Sequence, residues 1–142
     1  MSISLAEADR IIEAVLKAAA GKGPVTVVVT DAGGAPKAFK KQDGAYLLDF
    51  EIALGRAFAS LSLSPGTSEQ LAAFRDRNPG FRVLVDGVIR ASQGRMVVEA
   101  GGVRVSDAGQ SVIGAVGVAG LTPAECQALA IEGAKSAGFR AP

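Results

Sequence analysis

The chain has 142 residues, 49% of them hydrophobic, with fifteen basic and fourteen acidic residues and no histidine. The net charge of +1 and the scattered charges argue against a nucleic-acid-binding surface, and no run of residues is as apolar as the roughly 18–20 residues of a membrane span. The lack of histidine excludes a Ser-His-Asp triad, a typical catalytic zinc site and a histidine-ligated haem.

A chain of this length is expected to form one domain, residues 1–142. Its apolar excess indicates buried contacts between subunits, so we expect a homo-oligomer, with neither nucleic acid nor membrane as a partner. The N-terminal residues lack a basic segment followed by an apolar stretch, so we expect no signal peptide, and the single cysteine, Cys126, cannot form an internal disulfide. Both features predict a cytoplasmic protein.

The first third of the sequence predicts a helix followed by two strands. Ser4-Leu5-Ala6-Glu7 has the pattern of a capping box, and the apolar residues after it recur at helical spacing until Gly21. The β-branched run from Val25 to Thr30 predicts a strand covered on both faces. Residues 35–40 are expected to form the return strand after a glycine-rich turn at 31–34.

The middle of the sequence predicts two more helices and a hairpin. From about residue 46 to residue 61, apolar positions cover more than half of a helix, and a shorter helix capped by Ser68 runs to about Arg75. The apolar residues on either side of Asp86-Gly87 predict a hairpin, because Asp-Gly favours the positive φ angles of a two-residue turn.

The last third predicts three strands and a C-terminal helix. The strands are expected at Met96–Val98, Val103–Val105 and Val112–Val118, separated by glycines. Thr122-Pro123-Ala124-Glu125 is a strong helix start, and Gly138 ends that helix. The alternation of helices with glycine-rich hairpins indicates an α+β fold in which helices pack against an antiparallel sheet.

Three charged residues lie on or just before the central helix. Asp43 and Asp49 either stabilise its N-terminus or serve as acid/base groups. Arg56 either extends along the helix edge to solvent or anchors a carboxylate. Asp49 and Arg56 are close to two helical turns apart, so both are expected on one side. Cys126 is expected in the core, and no residue is assigned to a metal.

Five stretches in chain order resemble the GlcG-like, haem-binding-protein (HbpS-like) family, which includes the C-terminal domain of PduO-type proteins. They span almost the entire chain, and their order is more specific than any one of them. The stretches are VVVTDAGGAPKAFKKQDGA (27–45), FEIALGRAFAS (50–60), NPG (78–80), GGVRV (101–105) and VIGAVGVAG (112–120).

The resemblance implies a profilin-like sandwich, with a five-stranded antiparallel sheet flanked by helices, that assembles into dimers or larger rings. It also implies a pocket near the DAGG turn, the start of the central helix and the GGV loop. The turns at 31–34 and 43–44 would then border one cavity mouth. Besides Asp43, Asp49 and Arg56, the residues implied for this pocket are Asp31, Gly33, Gly34, Phe39, Tyr46, Gly101 and Gly102.

Two functions are compatible with these features. The first is a small-molecule-binding protein of this family. Haem is a possible ligand through the resemblance, held by Tyr46, Cys126, a methionine or a hydroxyl group, or without strong ligation. The alternative is a cofactor-independent lyase, isomerase or hydratase acting on a small oxygenated or carboxylated metabolite. In that case Arg56 would anchor the substrate, and Asp43 or Asp49 would be the acid/base.

Overall fold

The computed structural model describes residues 1–63 and 66–142. Within these residues no helix is long and apolar enough to cross a membrane. The elements, in chain order, are α1 (Leu5–Ala18), β1 (Thr26–Asp31), β2 (Pro36–Lys41), α2 (Asp49–Ser62), α3 (Ser68–Arg77), α4 (Pro79–Ala91), β3 (Gly102–Ser106), β4 (Val112–Ala119) and α5 (Pro123–Ser136).

The four strands form one antiparallel sheet in the order β2-β1-β4-β3. This arrangement confirms the α+β class and corrects the expected strand number, which was five. The segment expected to be a strand at Met96–Val98 lies in the loop before β3. The Val97 N–H donates to the Gly55 carbonyl of α2 at 3.1 Å, so its backbone binds a helix instead of a neighbouring strand.

Helices cover both faces of the sheet. Val27 and Val29 of β1 pack in the main core with α1 and α5, whereas Val28, between them, packs against Ala53 of α2. The approach of α2 requires glycine in the sheet, because a Cβ at Gly117 would lie 1.8 Å from the Ala53 carbonyl oxygen. Small residues on β4 therefore fix how closely the central helix lies on the strands.

The hairpin expected around Asp86-Gly87 is wrong, because this segment is helix α4. Asn78 precedes the helix and Pro79 is its first residue, a pairing typical of a helix start. Val85 is fully buried, and Asp86 is exposed on the helix surface. The β-branched residues of this segment favour a strand. Their helical spacing is evident only once α4 is seen to pack against α3.

The predicted helix starts are largely confirmed by their caps. Ser4 and Thr122 each form a capping box with the glutamate three residues later. The cap of α3 is Thr67 and not Ser68: the Thr67 hydroxyl accepts the Gln70 N–H at 3.0 Å, and Ser68 is the first helical residue. Ser68 instead turns inward toward the loop before β3, where it contributes to the site described below.

Candidate functional site

The two acidic turns that flank β2 lie at opposite ends of this strand. Asp31 and Gly34 precede it and Asp43 follows it, and six residues at about 3.3 Å each separate the turns by about 20 Å. The pocket residues implied by the sequence therefore divide between two ends of the sheet.

The first turn is held together by its own aspartate. One carboxylate oxygen of Asp31 accepts the backbone N–H groups of Gly33 at 2.9 Å and Ala35 at 3.0 Å, and the Gly34 N–H donates to the Asp31 carbonyl at 3.1 Å. These glycine N–H groups were expected to face a ligand. The turn uses them itself.

A cavity of about 450 Å³, here called the Gly34 cavity, opens beside this turn. Gly34 has a φ angle of +84°, and a Cβ there would lie 2.5 Å from the Phe58 ring. Glycine at this position thus allows the turn to sit directly on α2. The cavity is lined by residues 33–36, by Glu51, Leu54, Gly55 and Phe58 of α2, and by residues 93–95.

Arg95 is the positive charge of the Gly34 cavity. Its guanidinium lies over the Phe58 ring, 4.5 Å from the centroid, and its Nε donates to the Ser92 carbonyl at 3.2 Å. Its two terminal nitrogens have no hydrogen-bond partner among the described residues. The stacked ring holds the guanidinium in place and leaves those nitrogens free for an anion.

Nothing in the sequence singles out Arg95. The residues after Asp86-Gly87 were expected to form the second strand of a hairpin, whereas they continue α4, and residues 92–94 form the turn that ends it. The Gln93-Gly94 pair, both with positive φ, marks that helix end. In the sequence, Asn78-Pro79 indicates the start of a helix, and Gln93-Gly94 indicates its end and a following loop.

On the buried side of α2, Arg56 lies in a group of residues here called the Arg56 cluster: Asp49, Arg56, Glu99 and Cys126. Arg56 is only 4% exposed, so it is not an edge residue that reaches solvent. Its Nη1 donates to the Val118 carbonyl at 2.8 Å, and its Nη2 donates to the Glu99 carboxylate at 2.5 Å. Its Nε is buried without a partner in the described part of the chain. Arg56 joins α2 to β4 and to the loop before β3.

Asp49 is buried on the same side of α2 as Arg56, as the spacing predicted. Its carboxylate is 3% exposed and accepts the Tyr46 N–H at 2.9 Å, which closes the turn before α2.

The charges of Asp49 and Arg56 both affect the pKa of the Cys126 thiol. Burial, the largest effect, raises the pKa of Cys126 and Asp49 adds to the rise, while Arg56 opposes it. The thiol is therefore a protonated core group, consistent with the expected core position.

Gly101 and Gly102 cross this cluster with their polar groups already bonded. The Gly101 N–H donates to the Gln127 side chain at 2.7 Å, and the Gly102 N–H donates to the Ser68 hydroxyl at 2.8 Å. The Gln127 amide also donates to the Gly102 carbonyl at 3.0 Å. Gln127 is 3% exposed and was missed in the sequence, where nothing sets it apart from a surface glutamine.

The remaining predicted site residues lie on the surface. Phe39 is 54% exposed and packs its ring on Phe50 with centroids 4.7 Å apart, and Tyr46 is 72% exposed. Asp43 is exposed and borders a shallow depression beside the end of α1. The structure thus brings Asp49, Arg56, Gly101 and Gly102 together, and it separates them from Gly33 and Gly34.

Comparison with known proteins relates the whole chain to one family. A family model described as haem degrading protein HbpS-like matches residues 3–135. The chain is 35% identical over 130 residues to an uncharacterized 15.0 kDa protein of the dhaT-dhaS intergenic region of Citrobacter freundii, a match that covers 91% of this chain and 87% of the relative.

Solved structures show the same fold. The Klebsiella pneumoniae protein ORFY has 29% identity and a TM-score of 0.81, with 95% of this chain and 90% of that chain covered. HbpS has 26% identity and a TM-score of 0.78, with 97% and 92% covered. A complex of PduOC with haem has a TM-score of 0.83 at 19% identity, with 99% and 98% covered, and this likeness concerns the fold alone.

Proposed function

Since the chain belongs to the family described as haem degrading protein HbpS-like, we propose that it is a small-molecule-binding protein whose ligand occupies the Gly34 cavity. One observation carries this proposal. The cavity has a volume of about 450 Å³, within the range of about 300–1,000 Å³ usual for small-molecule sites, and one wall is an arginine stacked on an aromatic ring.

The lining of the cavity favours a partly apolar ligand with an anionic group. Leu54 and Phe58 provide the apolar wall, and the terminal nitrogens of Arg95 suit a carboxylate, which a guanidinium binds through two parallel hydrogen bonds. The exposed carboxylate of Glu51, on another wall, accepts from a hydroxyl or amino group. A flat ring system that carries a carboxylate matches the apolar wall and Arg95.

Haem is such a molecule, and PduOC was solved in complex with it. The Gly34 cavity fits its periphery, with an apolar wall and one cation for a carboxylate. It does not fit ligation of the iron, because the protein ligands of haem iron are His, Cys, Met and Tyr, and none of these lines the cavity. Met96, next to Arg95, is 3% exposed and packs in the core with Ala59 and Leu71. Tyr46, in the loop before α2, and Cys126, buried on α5, are not lining residues of the cavity.

Parallel titrations with haemin and iron-free protoporphyrin IX test the proposal. We expect both to bind with Kd values within about threefold, because the iron gains no protein ligand. Leu54→Trp, which fills the cavity, is expected to weaken both by at least about tenfold, and Leu84→Trp, on the exposed face of α4, is the matched control. Equal binding by the parent and Leu54→Trp would place the ligand elsewhere. Haemin binding much tighter than the iron-free ring would show that the iron is ligated.

None of the contacts of the described residues, and none of the comparisons, supports the alternative of a lyase, isomerase or hydratase. Asp49 is bonded to the turn before α2, and Arg56 is paired with Glu99. Asp43 is exposed, away from both. A contribution of these three residues to ligand binding stays a prediction, and we propose no second function.

We also propose that the protein is a cytoplasmic homo-oligomer. The loop before α2 exposes 83% of Leu47, 59% of Leu48 and 72% of Tyr46, so three consecutive residues present large apolar side chains to solvent. A second copy of the chain would cover them. Light scattering at micromolar concentration should give a mass of at least twice 14.3 kDa, and Leu47→Lys should lower it. A monomer in the parent protein would contradict the proposal.

A further inference from the structure

A second cavity, here called the basic cavity, lies beside the end of the β3–β4 hairpin and the C-terminal end of α5. Its volume is about 540 Å³, and it shares no lining residue with the Gly34 cavity. Side chains from three parts of the chain meet in it: Arg104 and Ser106 of β3, Lys135 of α5, and residues 139–142.

The walls of the basic cavity are fixed by backbone hydrogen bonds. Ser106 and Arg140 exchange two N–H to carbonyl bonds, at 2.9 and 3.0 Å, and these tie the C-terminal segment to the end of β3. In the hairpin turn, the Asp107 carboxylate accepts the Ser111 N–H at 2.9 Å, and Gln110 takes a φ of +68°. A non-glycine residue in this conformation is uncommon, and here it places Gln110 at the cavity wall.

The charges of the basic cavity are unbalanced. Three of its lining residues, Arg104, Lys135 and Arg140, are cations, and no acidic side chain lines it within the described ranges. The chain as a whole is almost balanced, with fifteen bases and fourteen acids, so this is a local concentration of positive charge. Neither Lys135 nor Arg140 forms an ion pair with a described residue.

Helix electrostatics explain only one of the three cations. Lys135 lies in the last turn of α5, where a positive charge interacts favourably with the helix dipole. Arg104 lies on a strand, and Arg140 lies beyond the helix. The cost of bringing Lys135 and Arg140, neither of them ion-paired with a described residue, to one concave surface is offset if an anion occupies it.

We propose that the basic cavity binds a small, multiply charged anion of the phosphate class, at a site separate from the Gly34 cavity. Arginine forks bind phosphate oxygens through paired hydrogen bonds, and lysine adds a compact charge. The hydroxyl of Ser106 and the amide of Gln110 add neutral donors around the same space. The cavity is large enough to hold a phosphorylated small molecule as well as the phosphate group itself.

An NMR amide titration with pyrophosphate and with inorganic phosphate, at constant ionic strength, tests this site. We expect saturable shifts at Ser106, Gln110 and Arg140, with pyrophosphate binding more tightly than phosphate. Arg140→Gln and Lys135→Gln should each weaken binding by at least about fivefold. Lys17→Gln is the matched control, because Lys17 also lies exposed in the last turn of a helix, α1, but away from the cavity.

Two results would overturn the proposal. Shifts that rise linearly with anion concentration would mean that there is no site. An equal loss of affinity in Lys17→Gln would mean that general charge, and not the cavity, attracts the anion. Unchanged amide signals elsewhere in Lys135→Gln and Arg140→Gln would confirm that these exposed substitutions leave the fold intact.

Discussion

The Arg56 cluster and the Gly34 cavity both involve α2, and each contains one arginine, but the two arginines are used differently. Arg56 is 4% exposed, and its bonds go to a β4 carbonyl and to Glu99. Arg95 is exposed, supported by the Phe58 ring, with both terminal nitrogens open among the described residues. The first holds elements together, and the second is available to a ligand.

The difference follows from the cost of burying charge. A guanidinium removed from water must regain its hydrogen bonds inside the protein, and a carboxylate partner offsets much of the lost solvation. Arg56 meets this need through Val118 and Glu99, and a ligand carboxylate would have to displace Glu99 to reach it. Arg95 has lost little solvation, so a ligand there competes only with water.

The largest effect is expected from Gly102→Ala, in the backbone that crosses the Arg56 cluster. A Cβ there would lie 2.1 Å from the Arg56 carbonyl oxygen and 2.4 Å from its carbonyl carbon, so the helix or the loop must move. We expect a loss of about 4 kcal/mol in the free energy of unfolding, measured by urea denaturation.

The matched control for this variant is Gly87→Ala. Gly87 lies within α4, where a Cβ would meet nothing within 4 Å, and alanine is a better helix former than glycine by roughly 1 kcal/mol. This variant should be as stable as the parent or more so. If Gly102→Ala were equally harmless, the close packing of α2 on the loop would be wrong.

A smaller loss is expected from Arg56→Met, which keeps the volume of the side chain and removes its charge. The Val118 carbonyl and the Glu99 carboxylate would both lose a hydrogen bond, so we expect about 2–3 kcal/mol of destabilisation. Glu99→Gln should cost less, about 1 kcal/mol, because Glu99 is half exposed and glutamine still accepts a hydrogen bond.

Ligand binding by Arg56→Met tests whether the two arginines have different roles. At a temperature where Arg56→Met remains folded, protoporphyrin IX should bind to it within about threefold of the parent, whereas Arg95→Gln should lose about tenfold, or about 1.4 kcal/mol. The opposite result, with Arg56→Met as the weaker binder, would restore the site that the sequence indicated around Asp49 and Arg56.

Much of the fold could be predicted from local signals. The capping boxes at Ser4 and Thr122 and the β-branched run of β1 act over a few residues, and the structure confirms all three. Helix α4 could not be found in this way, because its β-branched residues and Asp86-Gly87 have strand and turn propensities that tertiary packing overrides. The strand expected at Met96–Val98 is wrong for a related reason: this segment has strand propensity, but its backbone bonds to α2 instead of to a strand.

The candidate site was predictable only in part, for a different physical reason. Helical spacing placed Asp49 and Arg56 on one side correctly, but a sequence does not show whether a polar group is already bonded inside the protein. The Gly33 N–H is bonded to Asp31, and the Gly101 N–H is bonded to Gln127. Arg95 lay in a segment with the wrong secondary structure, so its ring contact could not be foreseen.

The smallest effect concerns the cap of α5, whose first turn brings Cys126 and Gln127 to the Arg56 cluster. The Thr122 hydroxyl and N–H both donate to the Glu125 carboxylate, at 2.7 and 3.0 Å. The Thr122 side-chain bond, followed by its backbone bond, lowers the pKa of Glu125 below its ordinary value of 4.5. Because the folded state favours the ionised form, this contribution to stability is complete above pH 4.5 and is lost as the pH falls through the lowered pKa.

Glutamine at position 125 keeps an acceptor for the cap but does not titrate. The difference in Tm between the parent and Glu125→Gln should therefore be largest near pH 7 and shrink toward pH 3, with Glu132→Gln, on the same helix, as the control for loss of one charge. A difference that is the same at both ends of this range would show that the carboxylate adds nothing that glutamine cannot supply.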